Sequence, residues 1–194
     1  MDRKVKIPVD KIGFDFDGVI ADTGENFIRL ACEEYDYCSF RLEDITSFEV
    51  EGCIRMPSEI IRKIFNDILV DSLATGLQPV PGAEEALIAM TKVSRVNVIT
   101  ARPLLEPMEA WFHAHFDDDV TSKLNLVATG SPETKGQYIH ELGLSYFVDD
   151  RAETCEQLLG EDITPFVFEQ PWNRNQSHLQ SVRDWQHLRQ LIEV

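Results

Sequence analysis

Apolar and polar positions follow two rhythms along this chain. At Ile12, Phe14 and Phe16 apolar side chains recur every second residue, with Gly13, Asp15 and Asp17 between them. That is the period of an extended strand whose two faces differ. From Asp22 the rhythm lengthens. Asp22 and Glu25 stand at capping-box spacing, with Asp in place of the usual Ser or Thr, and Phe27, Leu30 and Ala31 follow on one helical face. The next stretch, EEYDYCSFRLEDITSFEVEGC, is rich in aromatics and acids and has no clean period. Pro57 then fits the first position of a helix, and Ile60, Ile61, Ile64, Phe65, Ile68 and Leu69 recur at helical spacing. The span 22–78 thus reads as a mostly helical insertion without strand character, and Pro79 and Pro81-Gly82 punctuate its end.

Beyond that point helix and strand alternate. Ala83, Ala86, Leu87 and Met90 make a helical face, RVNVIT a strand, and Leu104, Met108, Trp111 and Phe112 a second helical face. KLNLVAT is a strand, and Ser131 and Pro132 read as the cap and first residue of a helix that stops near Gly143. LSYFVD is a strand, followed by a short helix from Ala152 to Leu159 and a final strand, TPFVFE. Val182, Trp185, Leu188, Leu191 and Ile192 fall on one last helix. Strands alternating with helices predict an α/β fold, a Rossmann-like parallel sheet covered by helices on both faces. In this reading residues 1–21 and 79–194 form the core, and residues 22–78 a small helical cap inserted after the first strand.

Composition narrows the function. A chain of 194 residues, 43% of them hydrophobic, can build one good core with a subdomain attached. A formal net charge of −16 opposes binding to a nucleic-acid polymer, which needs Lys and Arg to neutralise phosphates. It also gives no long-range help in steering a phosphorylated ligand, so any phosphate site must be local and metal-assisted. The apolar runs are far too short for a membrane span. The N-terminal MDRKVKIPVDKIG has basic residues but no apolar stretch after them, which argues against a secretory signal and for a cytoplasmic protein. Cys32, Cys38, Cys53 and Cys155 form no Cys-x-x-Cys pair and are expected to be reduced thiols.

Four apolar strands end in groups capable of chemistry. The first ends at Asp15 and Asp17, the second at Thr100, the third at Thr129-Gly130 just before Lys135, and the fourth at Asp149-Asp150. Open parallel sheets bind ligands beyond the carboxyl ends of their strands. A buried strand does not tolerate two bare carboxylates unless a cation or donors compensate them. Placing the pair at the strand end, over a crevice, resolves this, and Gly18 lets the backbone turn there. If Pro132 opens its helix, Lys135 lies in the first turn, where a cation opposes the helix dipole unless both face an anion. Elsewhere, His113 and His115 are two apart on a helix and do not share a face, so a metal pair is not expected. Arg102 and Arg151 each follow a motif residue and read as surface ion-pair formers or substrate contacts. Trp172 and Asn173 follow the last strand in FEQPWNRNQ, and the tryptophan reads as closing one side of the core. Of the aromatics Phe27, Tyr35, Tyr37, Phe40 and Phe48, one could stack on a base, and packing accounts for most.

The string FDFDGVIAD, followed in order by the threonine, the lysine and the second acid pair, resembles the four signatures of the haloacid dehalogenase-like phosphohydrolases. The phrases QPVPGAEEAL, ITARP and PWN look more specifically like the cytosolic type-C 5′(3′)-deoxyribonucleotidases and their bacterial relatives, which place a serine where this chain has Ala101. The resemblance implies a phosphatase. Asp15 would attack phosphorus and form an aspartyl-phosphate, and Asp17 would serve as general acid and base. Thr100, Lys135 and backbone N–H groups near Phe16 and Ala101 would bind the phosphate. Asp15, the Asp17 carbonyl and Asp149 would hold magnesium, with Asp150 binding it through water or orienting Lys135. The implied partner is a small phosphorylated metabolite, with nucleoside monophosphates and sugar phosphates both open. A binding scaffold without turnover and a dehalogenase rank lower, the latter because Asp17 marks the phosphate-transfer branch.

Overall fold

The computed structural model describes residues 6–175 and 178–194; Met1–Val5, part of the N-terminal stretch read above for a secretory signal, lie outside them. Six parallel strands form one sheet in the order β3-β2-β1-β4-β5-β6. They are β1 (Ile12–Phe14), β2 (Val96–Thr100), β3 (Leu124–Ala128), β4 (Tyr146–Asp149), β5 (Thr164–Phe168) and β6 (Ser181–Val182). The helices are α1 (Thr23–Tyr35), α2 (Ser58–Val70), α3 (Ala83–Thr91), α4 (Glu106–His115), α5 (Asp118–Thr121), α6 (Lys135–Glu141), α7 (Ala152–Leu159) and α8 (Trp185–Leu191).

Neighbouring strand residues belong to different apolar clusters, because successive side chains leave a strand on opposite faces. Val98 and Val148 join the large cluster that contains Trp111, Trp185 and Leu188, while Ile99 and Phe147 join a smaller one with Ile139 and Leu158. Both faces of the sheet are therefore covered, as a parallel sheet requires. Gly13 is needed where it stands: a Cβ there would come within 2.8 Å of a Leu144 methyl and 3.1 Å of the Phe147 ring. The chain runs β1, β2, β3 outward on one side, then crosses to β4, β5 and β6 on the other. The order thus reverses between β1 and β4, which opens a crevice at their carboxyl ends.

Between β1 and α3 the described residues form helices and short 3-10 turns but no strand. Asp22 caps α1 by accepting the Glu25 N–H at 3.3 Å. Phe27 of α1 stacks on Phe65 of α2 with ring centroids 4.7 Å apart, and Ile61, Ile64 and Ile68 are buried in the same cluster. The two ends of this segment lie side by side. The Asp22 N–H donates to the Gln78 carbonyl and the Val80 N–H to the Ile20 carbonyl, both at 2.8 Å.

Several local expectations change. Pro57 precedes α2 as its cap residue instead of starting it. Leu104 lies before α4 and is exposed. Ser131 caps nothing: its hydroxyl donates to Glu133, Pro132–Thr134 is a 3-10 turn, and the α-helix begins at Lys135 itself. Val182 belongs to β6, paired with Phe168, and not to the last helix, which Asp184 caps by accepting the His187 N–H at 2.7 Å. Ile192 falls after that helix has ended. The expectation of four reduced thiols also fails. Asp36 adopts a left-handed conformation at φ 63° after α1 and turns the chain back, so that Cys38 meets Cys32 in a disulfide; Cys53 and Cys155 are free. His115 stacks on Trp111 with ring centroids 4.3 Å apart, a packing role as expected.

The tightest tie between the C-terminal helix and the motif turn is Trp185. It is fully buried, packs on Phe14 with centroids 5.4 Å apart, and donates its indole N–H to the Val19 carbonyl at 2.8 Å. Trp185→Phe keeps an aromatic ring but strands that buried carbonyl. Urea denaturation should show a loss of about 1–3 kcal/mol with an unchanged m value, and an unshifted midpoint would contradict this account.

Candidate active site

Asp15, Asp17, Thr100, Lys135, Asp149 and Asp150 line one cavity at the crevice, whereas Thr129-Gly130 is not part of its lining and the Thr129 hydroxyl donates to the Ser131 carbonyl at 2.7 Å. Asp15 follows β1 directly, and its N–H continues the ladder by donating to the Val148 carbonyl at 2.8 Å. Asp149 ends the adjacent strand β4, Thr100 ends β2, and Lys135 opens α6. Burial is nearly complete: Asp15 is 6% exposed, Thr100 1% and Lys135 2%. Lys135 Nζ sits between two carboxylates, 2.8 Å from Asp15 Oδ2 and 2.7 Å from Asp149 Oδ2. Asp15 Oδ1 accepts the Phe16 N–H at 2.7 Å, and Asp149 Oδ1 accepts the Arg151 N–H at 2.8 Å. Of the two roles open to Asp150, binding metal through water or orienting Lys135, no direct contact to Lys135 supports the second; Asp149 and Asp15 take two of the three N–H donors of that ammonium. Gly18, at φ 71°, turns the chain past Asp150, and a Cβ on it would lie 2.2 Å from Asp150 Oδ2.

Asp17 faces a different partner. Arg102, read as either a surface ion-pair former or a substrate contact, lines the cavity, is 2% exposed and grips Asp17 with both arms of its fork. Its Nε is 2.8 Å from Oδ2 and its Nη2 2.7 Å from Oδ1, while the Thr23 hydroxyl donates to Oδ1 at 2.6 Å. Ala101, between Thr100 and Arg102, lines the same cavity. That cavity has a volume of about 580 Å³ and runs from the carboxylates to Phe27, Ile45, Phe48 and Phe65 of the 22–78 segment. Tyr35, Tyr37 and Phe40, the other candidates for base stacking, are not among its lining residues.

Residues that carried no catalytic reading in the sequence complete the frame. Asn173 donates to the carbonyls of Asp150 at 2.7 Å and Phe168 at 2.8 Å, and Gln170 donates to the Gly18 carbonyl at 2.8 Å. The loop after β5 therefore braces both acid-bearing turns. Trp172 of the same loop is half-buried, packs against the main apolar cluster as expected, and also lines the cavity. Thr23 and Ser72 carried no signal beyond helix-end positions. The PWN string was the one available hint for the brace.

The charges do not balance. One oxygen each from Asp15, Asp149 and Asp150 lie within 4.8 Å of one another, and Lys135 is the cation set against them, since Arg102 is committed to Asp17. Burial first, then the neighbouring carboxylates, push Asp15 up to about 7 in spite of Lys135. The same two causes raise Asp150 well above the usual carboxylate range. Asp17 goes the other way: burial would raise it, but Arg102 and Thr23 outweigh burial and hold it low. Three buried hard-oxygen donors with excess negative charge fit a small divalent cation such as magnesium.

Comparison with known proteins agrees with this arrangement. Residues 8–194 match the family described as "5' nucleotidase, deoxy (Pyrimidine), cytosolic type C protein". The chain belongs to this family. A Bacillus cereus relative named "Putative nucleotidase" is 25% identical over 94% of this chain and 98% of its own. Among solved structures, a haloacid dehalogenase-like hydrolase of Bacteroides fragilis shares the fold with a TM-score of 0.59 at 13% identity, covering 91% of this chain and 98% of its own. A hydrolase of Pseudomonas syringae gives 0.59 at 14%, covering 94% and 99%. This type-C nucleotidase family member is a phosphatase of the haloacid dehalogenase type with its α/β sheet. None of its helices among the described residues is long and apolar enough to cross a membrane.

The raised carboxyls carry a stability signature. A group held above its unfolded value of 3.8 stabilises the fold while protonated, and that contribution fades as pH rises through its folded value, for Asp15 about 7. Asp17, held low, loses its contribution only below 3.8, and Lys135, held high, only in strong alkali. The metal-free protein should therefore lose melting temperature between roughly pH 4 and pH 7, and the gain from added magnesium should grow over the same range. A gain in melting temperature that is flat with pH would count against the charge imbalance.

Proposed function

We propose that this protein is a magnesium-dependent phosphomonoesterase that works through an aspartyl-phosphate on Asp15 and takes (deoxy)nucleoside monophosphates as substrates. The observation that carries the reading is the buried Asp15 carboxylate at the β1/β4 switch point, with Lys135 at 2.8 Å. Asp15 attacks phosphorus and the ester bond breaks; Asp17, whose carboxyl Arg102 and Thr23 hold low, takes up a proton as the substrate enters and passes it to the leaving oxygen. A water then attacks the aspartyl-phosphate, gives its proton to Asp17, and frees inorganic phosphate. Lys135 offsets the charge of Asp15 and of the phosphoryl oxygens, while the Thr100 hydroxyl and the Ala101 N–H donate to those oxygens. Asp15, Asp149, Asp150 and the Asp17 carbonyl would hold the magnesium ion. When bound, it supplies the positive charge that lets a phosphate dianion enter among carboxylates.

In this reading residues 22–78 are a cap over a core of residues 1–21 and 79–194. The cap excludes water and chooses the substrate. The names of the relatives support a nucleotide, and so does the wall of Phe27, Ile45, Phe48 and Phe65 above the carboxylates. A base presents a flat apolar face to such a wall; a sugar does not. Phe48 is the best placed to move onto a base, being 47% exposed, whereas Phe27 is fully buried against Phe65.

Two measurements test this. Asp15→Asn should abolish both turnover and covalent labelling by p-nitrophenyl phosphate, and excess EDTA should stop the native enzyme until magnesium is restored. Undiminished turnover in either case would overturn the chemistry. Across a panel of nucleoside monophosphates and sugar phosphates, nucleotides should give the highest kcat/KM. Phe48→Ala should raise KM for nucleotides about tenfold and leave that for p-nitrophenyl phosphate nearly unchanged. Equal changes on both substrates would reject stacking by Phe48.

A further inference from the structure

Arg102 is the buried cation that the mechanism above leaves without a task. It meets three elements at once. Its fork holds both oxygens of Asp17, at 2.8 and 2.7 Å. Its guanidinium lies over the Phe16 ring, 4.8 Å from the centroid. Its remaining arm, Nη1, donates to the Ser72 hydroxyl at 2.7 Å. Ser72 is itself 1% exposed, and its hydroxyl donates to the Ile68 carbonyl of α2 at 2.9 Å. Arg102 thus joins the Asp17 carboxylate to the place where the 22–78 segment returns to the sheet. The other contact to Asp17, from Thr23, comes from the place where that segment leaves.

We propose that Arg102 is a positioning residue that fixes the plane of the Asp17 carboxylate and, through Ser72, makes its aim depend on how the 22–78 segment is seated. A carboxylate oxygen has two lone-pair sites. Oδ1 uses both, on Arg102 Nη2 and Thr23 Oγ1, whereas Oδ2 uses one, on Arg102 Nε. Oδ2 keeps a free site on a side chain that lines the cavity and is 26% exposed. A planar fork fixes a carboxylate in two directions at once, which a lysine ammonium cannot do. Without the fork, Asp17 would turn about its side-chain bonds and lose alignment with the leaving oxygen, an error that costs on the order of 10²-fold in rate. The link to Ser72 ties this alignment to the second hinge. A substrate that seats the segment correctly also aligns the acid, so substrate fit and proton delivery become one event.

The inference rests on Asp17 acting as the general acid, and a double-mutant cycle separates the two ideas. Phenyl phosphate and p-nitrophenyl phosphate are the probes, because phenolate needs a proton on departure far more than p-nitrophenolate does. Arg102→Gln should lower kcat on phenyl phosphate about 10²-fold with little change in KM and much less loss on p-nitrophenyl phosphate. In an Asp17→Asn background the same change should cost nothing further. Arg102→Lys should recover part of the loss, and Ser72→Ala should reproduce it at about tenfold. If Arg102→Gln does not fold, Ser72→Ala in the native and Asp17→Asn backgrounds completes the cycle. Losses that are equal on both probes, or that add fully to Asp17→Asn, overturn the role of Arg102 alone. An Asp17→Asn enzyme with native rates on both probes removes the acid itself, and this proposal with it.

Discussion

The ammonium of Lys135 between Asp15 and Asp149 is the interaction on which this site depends. A parallel sheet that reverses its order between β1 and β4 brings the ends of those strands together, and both end in aspartate. Two such carboxylates buried side by side repel and have lost their water. One lysine at the start of α6 holds them, at 2.8 and 2.7 Å. With Asp150 alongside, the site still carries more negative than positive charge. That residue of charge is an unfavourable feature of the fold, and it is also what makes the crevice receptive to a cation and, with it, to a phosphate. Buried charge of this kind is weak evidence for stability and strong evidence for a functional site.

The loops divide the labour around this centre. The loop after β5 braces the acid-bearing turns through Gln170 and Asn173 and belongs to the rigid side. The 22–78 segment touches the site through its two ends, by Thr23 and Ser72, and through the aromatic wall of the cavity. Its own cohesion comes from the Phe27–Phe65 stack and the buried isoleucines of α2, while Cys32 and Cys38 close the turn after α1. Further contacts cross at its base: the Trp111 indole N–H donates to the Leu77 carbonyl at 2.8 Å, and the buried apolar residues of α1 and α2 share one apolar cluster with Phe14 and Phe16.

The sequence by itself determined the alternation of strand and helix, the parallel sheet, and the four strand ends that carry chemistry. These follow from period and order: side chains two apart share a strand face, and parallel strands place their carboxyl ends together. The capping of α1 by Asp22 and the faces of α3 and α7 were legible for the same local reason. What the periods missed was decided by pairing at a distance. Val182 sits at a helical interval from Trp185, yet an open edge at Phe168 makes it a strand. Cys32 and Cys38 lie too far apart for a familiar motif, and only the left-handed turn at Asp36 joins them. From its neighbours Arg102 reads equally as a surface ion-pair former or a substrate contact. Only the folded chain shows that it is buried between Asp17, 85 residues away, and Ser72, 30 residues away. No local pattern encodes such a contact, because the energy that places a buried arginine is its partners' charge, and those partners meet only when the sheet and the 22–78 segment have closed around it.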